Sequence, residues 1–509
     1  MNTYEPPIFE LSAPGKIGAN LPALDVPAAE LPGELLRQDN LAAMPELTET
    51  EVVRHFTRIS QRNYCIDTGM YPLGSCTMKY NPKIHEETAR YAGFAGAHPL
   101  QAPELSQGAL RLMYELQELL GEISGFDAVS LQPAAGAQGE FTGVLVFRAY
   151  HLSRGDTERV EILVPDSAHG TNPATAAMVG MKVAEVKSDA YGNVDLDDLR
   201  AKLSPRTAGL MLTNPNTVGI FEQHVREVAQ MVHEAGGLMY GDGANFNAIL
   251  GIVKPGAVGF DFMHYNLHKT FTTPHGGGGP GSGAVGCTAA LAPFLPGPRV
   301  RLQQPAAEGA QPRYEFFEPE QSIGRVKSFW GNFGMLVRAW TYIRTLGAAG
   351  LREVSETAVL NANYLRVKLQ GTYPAAYNRT CMHECVLRGQ IAEAPQARTL
   401  DIAKRLIDYG FHPPTVYFPL IVPEALMIEP TETESKLNLD AFVAAMLKIA
   451  DEARSDIEIL HQAPTTAPVR RLDEVRAARQ AILRYDAAKF GKLREEGAAH
   501  AREQATPTV

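Results

Sequence analysis

The order of strand and helix patterns predicts an α/β fold built on a large, mostly parallel sheet. Three apolar runs, 160–165, 208–217 and 238–245, have the length and composition of buried strands with polar ends. A helical period over 223–235 separates the second run from the third. Strands that alternate with helices in this way are typical of parallel strands joined by crossover helices. Such sheets bind ligands beyond the carboxyl ends of their strands.

Composition limits the class of protein. The chain has 509 residues, which suits two or three domains, and 45% hydrophobic with 20% charged residues is ordinary for a soluble globular protein. A net charge of -10 argues against a general nucleic-acid binder. The five cysteines have no repeated pair spacing, so neither a disulfide framework nor a zinc site is favoured. The first residues do not resemble a signal peptide, and no later run is long enough to cross a membrane. We therefore expect a cytoplasmic protein with no membrane or nucleic-acid partner.

Residues 1–100 are expected to form an extended arm followed by a loop near the active site. The first forty residues lack a sustained period and are rich in proline, alanine and glycine. Residues 63–82 form a polar segment with almost no regular pattern, and such long loops are enriched in function. They offer hydroxyl, thiol and ammonium groups at Ser75, Cys76, Thr77 and Lys79. These residues could line a functional site, or the segment could be a purely structural loop.

A turn of small residues predicts a phosphate site. A short strand from Ala128 runs into small residues at 134–139, and an apolar helix is expected over 141–150. The start of a helix presents free N–H groups and the positive end of its dipole, which together bind phosphate. The candidate residues are Gly136, Ala137 and Gln138. A tight structural turn is the competing interpretation, because the segment matches neither a Walker loop nor a dinucleotide motif.

The segment 266–286 contains the residue around which we expect the chemistry to be organised. Lys269 lies between His268 and Thr270, just before a glycine-dense loop. A lysine can condense with an aldehyde, and pyridoxal phosphate is the aldehyde cofactor that most often uses one. The alternative is a surface lysine in a loop. The preceding strand ends favour the first interpretation, because they deliver candidate partners to the same edge of the sheet.

Those partners meet the requirements of pyridoxal phosphate. Asp242 can hold a proton on the pyridine nitrogen, and His169 can stack on one face of the ring. Ala244 is small enough for close approach of the other face, and Asn214 can hydrogen-bond the 3-hydroxyl oxygen. Each residue also has a structural interpretation, such as a helix cap for the aspartate or a solvated loop histidine. Their ordered succession favours the cofactor site.

Two other motifs suggest ligands more weakly. Residues 281–286 match the dinucleotide pattern, but they follow a glycine loop and prolines interrupt the expected helix, so a strand over 284–291 is preferred. The cluster Cys381-Met-His-Glu-Cys385 lacks a second ligand pair for a metal. We therefore predict no metal site.

The rest of the chain predicts a second, smaller domain of mixed α+β type. Domain boundaries are expected at 101–345 for the large cofactor-binding domain, 346–487 for the small C-terminal domain and 488–509 for a tail. Loose alternation over 412–420 and 424–429 indicates strands. Helical spacing predicts helices that bury one face, and these cover 333–346, 354–369, 437–453 and 472–485.

Four long motifs resemble those of glycine dehydrogenase (decarboxylating), the P-protein of the glycine cleavage system. They lie at 71–79, 169–174, 242–245 and 268–281, and further similarity at 322–334, 429–435 and 464–474 extends the resemblance over nearly the whole chain. That family occurs as one long polypeptide or as two half-length subunits. With 509 residues and the lysine motif, this chain resembles the second subunit.

The resemblance implies an aspartate-aminotransferase-like fold (fold type I) and pyridoxal 5'-phosphate bound covalently to Lys269. It also implies decarboxylation of glycine, with transfer of the aminomethyl group to the lipoyl group of H-protein. The implied partners are the first subunit, lipoylated H-protein and glycine, in an assembly with two copies of each subunit. Lys269 and His268 are candidates for proton transfer. Another fold-type-I enzyme, such as a cysteine desulfurase or an aminotransferase, and a non-catalytic partner remain as alternatives.

Overall fold

The computed structural model describes residues 5–36, 44–98, 101–273, 281–303, 311–329 and 331–491. Contacts divide the chain into two units, Cys65–Ala463 and a second unit made of Met1–Tyr64 with Pro464–Val509. Across the described ranges, the helices are all too short or too polar to cross a membrane.

The secondary structure alternates between helix and strand through the centre of the chain. The α-helices include α1 (Glu49–Ser60), α2 (Lys83–Ala89), α3 (Ala92–Ala95), α4 (Gln107–Ser124), α5 (Gly136–Ser153), α6 (Thr171–Met178), α7 (Leu196–Lys202), α8 (Val225–Glu234), α9 (Leu267–Thr270), α10 (Phe333–Leu369), α11 (Thr399–Asp408), α12 (Lys436–Ser455), α13 (Glu458–His461) and α14 (Glu474–Arg479). The strands include β1 (Ala128–Ser130), β2 (Glu161–Pro165), β3 (Lys182–Val186), β4 (Thr207–Thr213), β5 (Leu238–Gly243), β6 (Phe262–Tyr265), β7 (Val285–Cys287), β8 (Arg299–Gln303), β9 (Arg313–Phe317), β10 (Cys385–Arg388), β11 (Thr415–Val416) and β12 (Ala425–Ile428).

A seven-stranded sheet forms the centre of the larger unit, in the order β1-β7-β6-β5-β4-β2-β3. All neighbours are parallel except β7, which runs antiparallel to both β1 and β6. Strands β4 and β5 are buried along their whole length, as expected for a sheet covered on both faces. The predicted α/β architecture is therefore confirmed, and the strand predicted after the glycine loop is present as β7.

The pairing register aligns the ends of the three central strands. Thr213 at the end of β4 pairs with Asp242 of β5, and Asp242 pairs with His264 of β6. Because these strands are parallel, their polar carboxyl ends meet at one edge of the sheet. Lys269 follows β6 directly, on the short helix α9.

The small C-terminal region contains a three-stranded antiparallel sheet in the order β10-β12-β11. Helices α11 and α12 cover it and share its apolar core. Helix α10 reaches this region after a break at Gly347, whose φ of 61° is outside the helical range. Glycine tolerates this conformation at little steric cost.

Met1–Tyr64 and Pro464–Val509 form a unit of their own. Thr48 caps α1 in a reciprocal capping box with Glu51. The Glu5 carboxylate accepts hydrogen bonds from Arg58, with Nε 2.6 Å from Oε2. Phe9 stacks on Tyr485 with ring centroids 4.6 Å apart, which joins the two ends of the chain.

Two predicted elements are wrong in extent. The helix expected over 472–485 is reduced to α14, because Leu472, Val475 and Leu483 are exposed and provide no buried face to support it. The strand expected over 412–420 is reduced to β11, since its flanking prolines lack the N–H donors that extend a sheet.

Close packing of α5 on the sheet gives a first testable prediction. A Cβ at Gly143 would lie 2.4 Å from Tyr240 Cε2 and 2.8 Å from Phe262 Cε1, inside a rigid core. Gly143→Ala should therefore lower the free energy of unfolding by about 1–3 kcal/mol. The control is Gly108→Ala in α4, where a Cβ meets nothing within 4 Å. That variant should be neutral or stabilised by up to about 1 kcal/mol. Equal effects in denaturant titrations would contradict the packing argument.

Candidate active site

A cavity of about 240 Å³ opens at the carboxyl ends of β4, β5 and β6. It brings together most of the residues that the sequence predicted for a cofactor site. The predicted residues that line it are Gly136, Ala137, His169, Asp242, Ala244, His268 and Lys269. The other lining residues are Ser75, Ala135, Glu140, Thr171, Thr213, Thr217, Asn245, His264 and Asn266.

Two predicted side chains have other partners. Gln138 accepts a hydrogen bond from the Ala134 N–H and donates one to the Val326 carbonyl. Asn214 Oδ1 accepts from the N–H of Glu222 at 3.0 Å. Neither side chain lines the cavity, and the end of β4 presents Thr213 and Thr217 there instead.

The start of α5 lies at one end of the cavity. Gly136 opens the helix, and a Cβ at this position would lie 2.1 Å from Asn266 Oδ1. Glycine is therefore required for the close approach of the two segments. Asn266 Oδ1 is buried and has no hydrogen-bond partner in the described part of the chain. The free N–H groups of a helix start can hold a phosphate, whereas the Asn266 oxygen can only accept a hydrogen bond.

Asp242 is buried and accepts one hydrogen bond, while His264 Nε2, which has no hydrogen-bond partner among the described residues, lies close to it. Its Oδ1 accepts a hydrogen bond from the Ala244 N–H at 2.9 Å and lies 3.4 Å from His264 Nε2. His264 Nδ1 lies 2.5 Å from the hydroxyl of Tyr240, which is fully buried. Burial lowers the pKa of His264, so the imidazole is neutral at pH 7. If the Tyr240 hydroxyl donates to Nδ1, the ring proton is on Nε2, which lies near Asp242 Oδ1 without hydrogen-bond geometry.

His169 is oriented by a second chain of polar groups. Its Nδ1 lies 2.9 Å from Thr171 Oγ1 and accepts a hydrogen bond from the Thr171 N–H. Thr171 Oγ1 lies 2.9 Å from Glu140 Oε1. Burial, and next the charge of Asp242, raise the pKa of Glu140 to about 8. Thr171 Oγ1 donates to Glu140 Oε1, and the Thr171 N–H donates to Nδ1, so the neutral His169 ring carries its proton on Nε2.

Lys269 Nζ donates a hydrogen bond to the main-chain carbonyl of Ser75 at 2.8 Å. The neighbouring His268 directs Nδ1 toward the main chain of Ser282, with its N–H 3.3 Å away. Residues 274–280, which hold most of the glycine run, lie outside the described residues. The formal dinucleotide pattern at 281–286 runs into β7 and opens no helix, so it lacks the context of that motif.

Several cavity residues escaped the sequence analysis. Glu140 occurs in an apolar helix and His264 in a short strand, where neither has a local signal of function. The structure explains why both residues line the cavity. The pairing of β5 with β6 places His264 beside Asp242, and Glu140 lies one helical turn after Gly136 in α5. Asn266 could have been predicted from the sequence, because it lies only three residues before Lys269.

The thiols of the Cys381–Cys385 cluster are buried in the small C-terminal core. Burial raises the pKa of Cys381 to about 12 and also raises the pKa of Cys385 well above its ordinary value. Both sulfurs are therefore uncharged and pack as apolar groups.

Comparisons with known proteins agree with this geometry. A family model described as glycine dehydrogenase, C-terminal domain, matches residues 354–470, and one described as aminotransferase class-V matches residues 144–279. A protein of Caldanaerobacter subterraneus named probable glycine dehydrogenase (decarboxylating) subunit 2 is 56% identical over 95% of this chain and 99% of its own length. The protein of the same name from Desulforamulus reducens is 57% identical over 94% of this chain and 98% of its own.

The chain belongs to the glycine dehydrogenase (decarboxylating) subunit 2 family.

Solved structures confirm the fold of this family member. The chain is similar to an inhibitor-bound glycine decarboxylase (P-protein) of the glycine cleavage system, with a TM-score of 0.70 at 22% identity over 82% of this chain and 93% of the other. A cysteine desulfurase from Thermococcus onnurineus matches with a TM-score of 0.57 at 15% identity over 76% and 95% of the two chains. The predicted fold type I is therefore correct. The class-V match and this fold imply dependence on pyridoxal phosphate.

The raised pKa of Glu140 predicts a pH-dependent contribution to stability. The pKa rises from its ordinary 4.5 to about 8 on folding, so the folded protein binds this proton more tightly than the unfolded chain. The resulting stability is present in full below about pH 4.5 and is lost as the pH rises through about 8. Relative to Glu140→Gln, wild-type apo-protein should lose stability between about pH 6 and pH 8, by at most about 1.4 kcal/mol per pH unit.

Urea unfolding of both proteins across this range measures the difference. Other titrating groups, including Glu384 and Glu429, are present in both proteins, so their contributions to the free energy of unfolding cancel in the difference. A constant difference, or one that grows in favour of wild type with pH, would contradict a protonated Glu140.

Proposed function

We propose that this chain is the cofactor-bearing subunit that decarboxylates glycine and transfers the aminomethyl group to the lipoyl group of H-protein. The observation that carries the proposal is the convergence of Lys269, Asp242, His169 and the start of α5 on one cavity, in a chain whose relatives named glycine dehydrogenase match it nearly end to end. Its partner would be the first subunit of the same enzyme, with two copies of each subunit, and we propose that the assembly acts in the cytoplasm.

The residues present fit pyridoxal phosphate. A lysine amine, a buried aspartate and a helix start occur together. Four buried atoms of the lining residues have no hydrogen-bond partner among the described residues: Glu140 Oε2, Thr213 Oγ1, His264 Nε2 and Asn266 Oδ1. Uncompensated buried polar atoms are costly, so atoms of this kind beside a cavity favour a polar ligand there. We propose that Lys269 binds the cofactor covalently and that Gly136 and Ala137 hold its phosphate.

When bound, pyridoxal phosphate accepts the electrons left behind as a bond to the α-carbon of an amino acid breaks. Asp242 would hold a proton on the pyridine nitrogen, because an ionised carboxylate favours the charged form of that ring. The Ala244 N–H holds the Asp242 carboxylate, and His264, which bonds Tyr240, packs beside it. His169 would cover one face of the ring, and the Thr171 N–H that donates to its Nδ1 leaves the ring proton on Nε2.

Lys269 has two tasks in this proposal. Its amine binds the cofactor between turnovers, and it takes up a proton when the amine of glycine replaces it. His268 is the second candidate for proton transfer, and it also lines the cavity. A cysteine desulfurase or aminotransferase activity is less supported, since those enzymes match this chain only in fold or over a shorter segment.

The direct test combines this chain with the first subunit and a lipoylated H-protein, and follows release of carbon dioxide from carboxyl-labelled glycine. We expect release that depends on all three proteins. Lys269→Ala should abolish the visible absorbance of the attached cofactor and reduce turnover by at least about 1000-fold. Formation of sulfide from cysteine, or of a keto acid, without release of carbon dioxide from glycine would refute the proposed function.

The role of Asp242 gives a separate prediction. Asp242→Asn keeps the shape but cannot stabilise a protonated pyridine nitrogen, so turnover should fall on the order of 100-fold while the cofactor stays bound. The matched control is Asp195→Asn at the N-cap of α7, because asparagine caps a helix as well as aspartate does. Equal activity of the two variants would exclude an electronic role for Asp242.

A further inference from the structure

The loop at 74–79 joins Lys269 to buried glutamates that the proposed mechanism does not use. Ser75 accepts the Lys269 hydrogen bond through its carbonyl and donates its own N–H to Glu384 Oε2, at 2.8 Å in both cases. Two residues later, Thr77 donates to Glu429 Oε1 at 2.5 Å. The Ser75 main chain therefore connects the lysine amine with a carboxyl group next to β10.

Ser75 holds an unusual conformation to make both contacts. Its φ is 63°, a left-handed value that residues other than glycine rarely adopt. Such outliers persist where the surroundings fix them, and they cluster at functional sites. The adjacent Gly74 packs against β12, where a Cβ would lie 2.2 Å from Met427 Cγ. Lys79 fixes the other end of the loop through Glu432 Oε1 at 2.8 Å and Asn247 Oδ1 at 2.7 Å.

The glutamates next to this loop are buried and have few hydrogen-bond partners. Glu384 and Glu429 are at most 1% exposed, and Glu429 Oε2 and both ring nitrogens of His383 have no hydrogen-bond partner in the described ranges. Burial raises the pKa of Glu384 to about 7, whereas the Ser75 N–H and the charge of Lys269 oppose this change. An ionised Glu384 and the positive charge of Lys269 attract each other, and Ser75 lies between the two groups, bonded to both.

We propose that the Ser75 carbonyl and Glu384 form a holding site for the Lys269 ammonium, with Glu384 as a positioning residue. The proposal rests on the proposed function, in which Lys269 is released and taken back once per turnover. An ammonium held on Ser75 cannot compete with the amine of glycine, because a protonated amine is not a nucleophile. Glu384 thus favours binding of the substrate amine without touching the substrate.

The first test measures the chemistry of Lys269 in the apo-protein, where the cofactor and the reaction play no part. Acetylation by acetic anhydride at about pH 8.5 is followed by mass spectrometry, with the exposed Lys182 as an internal reference. Glu384→Gln keeps an oxygen that can accept from the Ser75 N–H but removes the charge. It should raise the rate of Lys269 acetylation relative to Lys182 by about fivefold.

Three further variants separate charge from packing. Glu222→Gln, a buried glutamate that accepts main-chain N–H bonds elsewhere, should leave the acetylation rate unchanged. Glu429→Gln should have a smaller effect than Glu384→Gln, because Glu429 bonds Thr77 and not Ser75. Ser75→Gly keeps the carbonyl and suits the positive φ, so it should match wild type. A rate in Glu384→Gln within twofold of wild type would overturn the proposal.

The second test uses the complete enzyme with the first subunit and H-protein. In Glu384→Gln the apparent KM for glycine should rise about fivefold, and kcat should change less than KM. The reason is that an unprotonated Lys269 returns to the cofactor more readily. An unchanged KM would overturn the holding site while leaving glycine decarboxylation intact. Absence of glycine decarboxylation in wild type would refute the proposed function, whereas the acetylation result would still decide the holding site.

Discussion

The strongest physical constraint on this protein is the burial of carboxyl groups around a single lysine amine. Glu140, Glu384 and Glu429 all lie in dry surroundings, and burial is the main reason that their pKa values are raised. The charge of Lys269 opposes that change in each of them. Protonation of any of these groups therefore alters the electrostatic surroundings of the lysine. All three carboxyl groups therefore interact with the same lysine charge.

The central sheet is what brings these groups together. Parallel pairing aligns Thr213, Asp242 and His264 across three strands, and the chain reaches Lys269 within one turn after the last of them. The start of α5, which follows β1, lies against Asn266. This close approach is possible because Gly136 has no side chain. Small errors in strand register would separate Asp242 from His264, so the stability of the sheet and the geometry of the site depend on the same contacts.

The sequence predicted the fold and the main cavity residues because those features have local signals. Apolar runs indicate strands, small residues mark the start of α5, and a lysine beside a glycine run suggests a cofactor. Glu140 and His264 had no such signal, since their roles depend on contacts between elements far apart in the chain. For Asn214 the sequence predicted the position correctly but not the direction of the side chain. Its position after β4 was recognised, but only the structure shows that its side chain bonds Glu222.

The loop at 74–79 gives the small C-terminal region a direct connection to the chemistry. Ser75 bonds a glutamate of that region through its main-chain N–H, and Thr77 and Lys79 each bond one through their side chains. Lys269 bonds the same loop from the large sheet domain. Any displacement of β10 or β12 relative to the sheet would therefore move the Ser75 carbonyl away from the amine. The placement of Lys269 is thus a property of both domains, although its own segment belongs to one of them.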